Sequence, residues 1–156
     1  DADNVDIVIL ACVAELPDAA LTCDRLLIHP REVLFSYAEV LTWGTRRPVR
    51  VGILVDREHA EQDRADWQRR PWYSRIELHV APIDDSAESA AAKLAGPELD
   101  LAFFFGYGVG LAPGDPRQAI ADLERKIGAP LLTPHRATSL FLRNLIAPSI
   151  DDRAFA

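Results

Sequence analysis

Three stretches of the sequence carry side chains whose type and spacing could do chemistry. The first is ACVAELPD, in which Cys12 closes an apolar run. A thiol at a strand end beside helix N-termini is pushed toward thiolate, below its free pKa of about 8.5, and can then serve as base or nucleophile. Cysteine is also among the most often buried residues, so a thiol that merely ends a core strand explains the same pattern. The second is DLAFFFGYGVG, where a run suited to a buried strand breaks into Gly106, Tyr107, Gly108, Val109 and Gly110. The spacing is neither GxGxxG nor the GKS/GKT ending of a phosphate-binding loop, so nucleotide binding is not indicated. Glycines there allow a tight turn and close backbone approach, and a helix beginning near Pro116 would aim free amides at an anion such as a small carboxylate. Turn geometry alone accounts for the glycines equally well. The third is TPHRAT, with Thr133 at a helix start and His135 and Arg136 in its first turn. Thr133 can cap that helix and donate its hydroxyl to a carboxylate, while His135 and Arg136 are as consistent with a solvent-facing turn.

The remaining candidates are weaker. Cys23 sits in the polar LTCDR, eleven positions from Cys12, and no CxxC or Cys/His spacing suggests a disulfide framework or a zinc site. Both cysteines are expected as free thiols. His29, His59 and His79 do not cluster, and His79 alternates with Leu78 and Val80 as a strand residue would. The segment EHAEQDRADWQRRPW (58–72) reads as a charged helix with a solvated face and Trp67 packed on a sheet.

Elements that could position these residues follow from periodicity. VDIVILAC (5–12), RPVRVGILV (47–55), RIELHVAP (75–82), LDLAFFF (99–105) and APLLT (129–133) predict five strands. Between them, Val33, Leu34, Tyr37, Ala38 and Leu41 share one helical face, and Ala119, Ile120, Leu123 and Ile127 share another. Asp115 and Pro116 suit the start of a helix, Gly128 its end, Thr133 and Pro134 a further start, and Gly44 and Gly96 two earlier ends. Asp84, Asp85 and Ser86 are placed to cap an alanine-rich helix at 86–95. Alternating strands and helices predict an α/β fold, a three-layer sandwich with a parallel sheet and right-handed crossovers. In such sheets ligands lie beyond the carboxyl ends of the strands, which is where Cys12, Gly106 and Thr133 fall.

The 156-residue chain is 49% apolar, enough for a compact core. Its 24 acidic and 17 basic residues leave a net charge of −7, which disfavours nucleic acid and anionic membranes as partners. No apolar run reaches the roughly 20 residues needed to span a bilayer, and the acidic start is unlike a signal peptide. A cytoplasmic protein is expected. The start without methionine, almost directly on a strand, suggests that sequence precedes it, and the tail after Pro148 (SIDDRAFA) reads as a surface extension. VDIVILACVAELP and LDLAFFFGYGVGLAP form a weak internal repeat.

The succession ACVAELP, LLIHPREVLFSYAEVL, RPVRVGILVDREHAEQDRADW, LDLAFFFGYG and IGAPLLTPHRATSLFLRNL resembles the aspartate/glutamate racemase superfamily, and within it the AroM-like proteins. The resemblance implies two similar Rossmann-like or flavodoxin-like α/β lobes, an active site between them, and no cofactor. It implies a thiol from each lobe facing the substrate α-carbon, one removing the proton and the other returning it on the opposite face, because a single base cannot invert a stereocentre unaided. On that pattern Cys12 takes the place of the first-lobe thiol, and Gly106 stands where the second-lobe thiol would be. The resemblance also divides the chain into a remnant of the first lobe with a crossover helix (1–45), a second lobe (46–148) and a tail (149–156). The first lobe lacks an opening strand and helix, so a partner chain or an upstream segment would complete it, which favours a homo-oligomer.

Two functions follow as expectations. One is a cofactor-independent isomerase, racemase or decarboxylase acting on a small carboxylate, with Cys12 as acid/base and Gly106, Tyr107, Gly108, Thr133 and His135 lining the anion site. The other is a non-catalytic relative that binds a small acidic metabolite or assembles with a partner protein.

Overall fold

A computed structural model describes residues 6–10, 24–106, 111 and 113–154, and the side chains of these as far as residue 145. Cys12, Cys23, Tyr107 and Gly108 lie outside the described residues. The elements, in chain order, are β1 (Ile7–Ile9), β2 (Leu26–Ile28), α1 (Pro30–Trp43), β3 (Val49–Asp56), α2 (Ala60–Gln68), β4 (Ile76–Ile83), α3 (Ala87–Leu94), β5 (Leu101–Phe105), α4 (Pro116–Ile127), β6 (Leu131–Leu132) and α5 (Pro134–Ala154).

Strands β3 to β6 form one parallel sheet in the order β4-β3-β5-β6, with Ile53 of β3 level with Val80 on one side and Phe103 on the other. The chain moves outward from β3 to β4, then crosses back to lay β5 on the other side of β3. This is the strand order of a flavodoxin-like doubly wound sheet.

Alternation along the central strands builds two cores. Val51, Ile53 and Val55 with Phe103 and Phe105 face α1, α2 and α5. Leu54, Ala102, Phe104 and Leu131 face the alanines of α3 and Leu123 and Ile127 of α4. A strand covered on both faces favours apolar side chains at successive positions, which is why VGILV and LAFFF read as unbroken apolar runs, with Arg50 only near the start of β3. Gly52 shows how closely α3 approaches, since a Cβ there would lie 2.5 Å from Leu99 Cδ1 and 3.0 Å from Leu94 Cδ1. The fold is therefore the three-layer α/β sandwich expected from the sequence.

The punctuation also agrees. Ser86 caps α3 by accepting from the Ser89 N–H at 3.1 Å, and Asp115 caps α4 by accepting from the Arg117 N–H at 2.9 Å, with Pro116 following. Gly128 ends α4 in the left-handed region at φ 76°, and Thr133 caps α5 by accepting from the Arg136 N–H at 3.2 Å.

Three expectations are corrected. The described part of VDIVILAC, residues 6–10, does not enter the main sheet. Its strand β1 pairs in parallel with β2, a strand the sequence analysis did not anticipate, as a separate two-stranded sheet. The apolar run behind β2, LLI, is too short to signal a strand by itself, and β1 is only partly buried. The charged helix α2 does bury Trp67 on the sheet, yet its charged residues are not all solvated. Asp63 and Asp66, three apart on its inner face, are buried against Arg31 of α1. Helix α5 continues through Pro148 to Ala154, so most of the expected tail is helical.

Candidate functional site at the carboxyl ends of β5 and β6

Because β5 and β6 are parallel neighbours, the segments leaving their carboxyl ends lie side by side. Gly106 follows β5 directly and Thr133 follows β6 directly. Helices α4 and α5 both begin at this edge, so two helix N-termini, each capped by its own Asp115 or Thr133 side chain, meet there. Between them lies an open cleft of about 870 Å³ lined by Gly106, Arg117, Thr133, His135 and Arg136 over an apolar floor that includes Phe104 and Ile120. Three residues singled out from the sequence, Gly106, Thr133 and His135, are thus brought to one cavity.

Thr133 is buried, and its Oγ1 accepts the Arg136 N–H, which leaves its own hydroxyl proton to donate. Arg136 is fastened to its surroundings, with Nη1 3.2 Å from Glu124 Oε2 and 3.3 Å from the Leu131 carbonyl. That tie fixes the Arg136 side chain on the cleft wall, its charge met by Glu124, at little further cost in side-chain entropy. His135 and Arg117 stand exposed on the cleft's rim. A mostly apolar hollow with a few convergent donors and cations suits a small organic anion.

Gly106 has no positive φ, unlike Gly114 and Gly128. Backbone freedom is not what requires glycine at this position. A Cβ there would meet the Phe104 ring at 3.3 Å, a contact relieved by a shift of a few tenths of an ångström. The place that the resemblance gives to a second thiol is therefore open to a small side chain.

Sequence reasoning missed Arg117, although its position directly after Asp115-Pro116 puts it in the first turn of α4, where a cation can reach the same anion. It also missed the buried cluster on the opposite face of the sheet. There Arg31 Nη2 lies 2.7 Å from Asp63 Oδ1 and also pairs with Asp66, which in turn pairs with Arg69. The Arg31 guanidinium lies 5.4 Å from the Phe35 ring centre and 5.6 Å from that of Phe105, the last residue of β5. A single buried arginine in a sequence rich in charge carries no periodic signal.

A carboxylate held below its usual range lies at the other end of the sheet. Asp100, just before β5, accepts from Arg47 at 2.8 and 2.5 Å and from the Arg50 N–H at 2.9 Å. The Arg47 hydrogen bonds, with the Arg50 amide, hold it below the usual carboxylate range against the opposing effect of burial. This pair ties the entry of β3 to that of β5 and is remote from the cleft. Among the described residues no three histidine, cysteine, aspartate or glutamate side chains converge as metal ligands, and no helix is long and apolar enough to cross a membrane.

No family model, curated protein or solved structure matches this chain.

Proposed function

We propose that the protein binds a small carboxylate in the cleft at the ends of β5 and β6 and acts on its α-carbon without a cofactor, with Cys12 as acid/base. The observation that carries the binding half is the convergence of Gly106, Thr133 and His135 with Arg117 and the N-termini of α4 and α5 around one cavity. The catalytic half rests on the resemblance to the aspartate/glutamate racemase superfamily.

The chain has two cysteines, at positions 12 and 23, and on the resemblance the second-lobe thiol would stand at Gly106. One thiol suits decarboxylation or isomerisation better than racemisation between two bases. In a decarboxylation the bond from the α-carbon to the departing carboxylate breaks as carbon dioxide leaves. The electron pair remains on the α-carbon, delocalised into the carboxylate held by Thr133 and Arg117, and the Cys12 thiol returns a proton to that carbon. Donors fixed in advance around the developing enediolate supply the stabilisation.

A second reading, a binding protein without catalysis, is favoured by the same glycine. Nuclear magnetic resonance of α-proton exchange in heavy water, over amino acids, hydroxy acids, hydantoins and substituted malonates, separates the two. Exchange or carbon dioxide release that Cys12→Ala abolishes supports the enzyme. Thermal stabilisation by a panel member without turnover supports the binder, since a ligand at 100 times its Kd adds about 2.7 kcal/mol. No turnover and no stabilisation that Thr133→Val or Arg117→Gln diminishes would refute both.

A further inference from the structure

The large exposed apolar side chains cluster. Val40 (67% exposed) and Trp43 (76%) lie three residues apart on the outward side of α1 with Leu41 beside them, and Phe141 and Leu145 lie one turn apart on α5, which packs along α1. This stripe runs into a groove of about 410 Å³ walled by β2, by Val33, Tyr37 and Val40 of α1, and by Phe141. Glu32 is the one carboxylate on the lining, and Arg70 holds it with two hydrogen bonds of 2.9 and 2.7 Å. The lining therefore offers an occupant no uncompensated carboxylate, and apart from His29, Ser36 and the Tyr37 hydroxyl it is apolar.

The groove's lip is a strand edge. Leu26 donates its N–H to the Asp6 carbonyl and the Ile28 carbonyl accepts from the Leu10 N–H, so both residues turn their backbone toward β1. Backbone groups alternate sides along a strand, which points the N–H and carbonyl of Leu27 away from β1 and along the groove. Among the described residues β2 pairs with β1 alone. Two parallel strands of three residues are too little sheet to stand in water unaided, and parallel strands are ordinarily covered.

We infer that this face is the interface of a symmetric dimer, in which β2 pairs antiparallel with β2 of a second copy about a two-fold axis at Leu27. A second copy carries both things the face demands, a strand edge with Leu27 at its centre and an uncharged apolar stripe beside it. A two-fold interface is self-complementary by construction. Across the axis Leu27 exchanges both N–H···O bonds with Leu27 of the partner subunit, and the two short sheets merge into one of four strands. The area agrees. Leu26, Val40, Leu41, Trp43, Phe141 and Leu145 together expose the equivalent of about three whole large side chains, on the order of 600 Å² at roughly 200 Å² each. With the groove wall added, this approaches the ~800 Å² per partner of a stable complex. A lone peptide strand would fill the groove and leave Trp43 and Leu145 in water.

Light scattering of the full chain at about 10 µM, where a micromolar dimer is mostly associated, should give twice the 17.3 kDa chain mass. Val40 is mostly exposed, so Val40→Glu should keep the circular dichroism spectrum while weakening association at least about a hundredfold, because its charge would be buried unpaired. The pairing itself is read by Leu27→Cys in a Cys12→Ser/Cys23→Ser background. Cα atoms of a hydrogen-bonded antiparallel pair lie about 5.5 Å apart, with Cβ atoms beyond the roughly 3.5–4.5 Å of a relaxed disulfide, so a short bifunctional thiol reagent and not direct oxidation should give a covalent dimer. A monomeric wild type overturns the dimer. A dimer indifferent to Val40→Glu places the interface elsewhere, and failure to cross-link at Leu27 refutes the strand pairing.

Discussion

Removal of the Arg31 side chain tests how the α1, α2 and β5 layer is held together. The guanidinium sits between Asp63 and Asp66 with all three side chains about 5% exposed, and it rests near the Phe35 and Phe105 rings. Arg31→Ala leaves two carboxylates buried around a vacated cation, with Arg69 still on Asp66 from the solvent side. Breaking a buried pair by deleting one partner costs about 3–5 kcal/mol, because the remaining charge is desolvated without compensation. Against a typical stability of about 5–15 kcal/mol the variant should still fold, with a Tm lowered on the order of 10 °C. Urea unfolding followed by the fluorescence of Trp67, which is buried in the same layer, measures the loss directly. The triple variant Arg31→Met/Asp63→Leu/Asp66→Leu removes every charge at once and should be more stable than Arg31→Ala, since whole buried ion clusters can be replaced by apolar groups at small cost. A loss below about 1 kcal/mol for Arg31→Ala would refute the buried-charge reasoning. So would a triple variant no better than the single one, which would show that packing and not charge sets the cost.

Three further outcomes are expected. Asp100→Asn should destabilise the protein at pH 7, and its deficit should close in acid. The folded carboxyl of wild-type Asp100 lies below its unfolded value, so its contribution is full above the unfolded value near 3.9 and is lost as pH falls through the folded one. Unfolding midpoints of both proteins from pH 7 to pH 2 check this, and a deficit that persists below both values would refute it. Gly128→Ala should cost about 1 kcal/mol in denaturant unfolding, purely from the left-handed backbone at φ 76°, since nothing lies within 4 Å of a Cβ there. Gly106→Cys should fold with a near-wild-type midpoint, because only the Phe104 ring must give, and on the racemase-like reading it should raise α-proton exchange that depends on Cys12. Exchange unchanged from wild type would count against that reading.

The elements of the main sheet were legible because their signals are local. VRVGILV and LAFFF announce strands buried on both faces, and Asp115-Pro116, Gly128 and Thr133-Pro134 mark helix ends by cap chemistry that acts within four residues. Thr133 and Gly106 were legible as candidates for the same reason, since each stands directly after a strand. What the sequence could not show depends on which elements become neighbours. Leu26–Ile28 is a strand only because Ile7–Ile9 lies beside it, and three apolar residues have no period to detect. Asp63 and Asp66 sit in a run of mixed charge that reads as solvated, and it is the placement of Arg31 on α1 that buries them. The cleft is likewise a product of strand order. Gly106 and Thr133 are distant in the chain, and they meet because β5 and β6 pair, a long-range choice made by side-chain packing on both faces of the sheet and invisible to any local pattern.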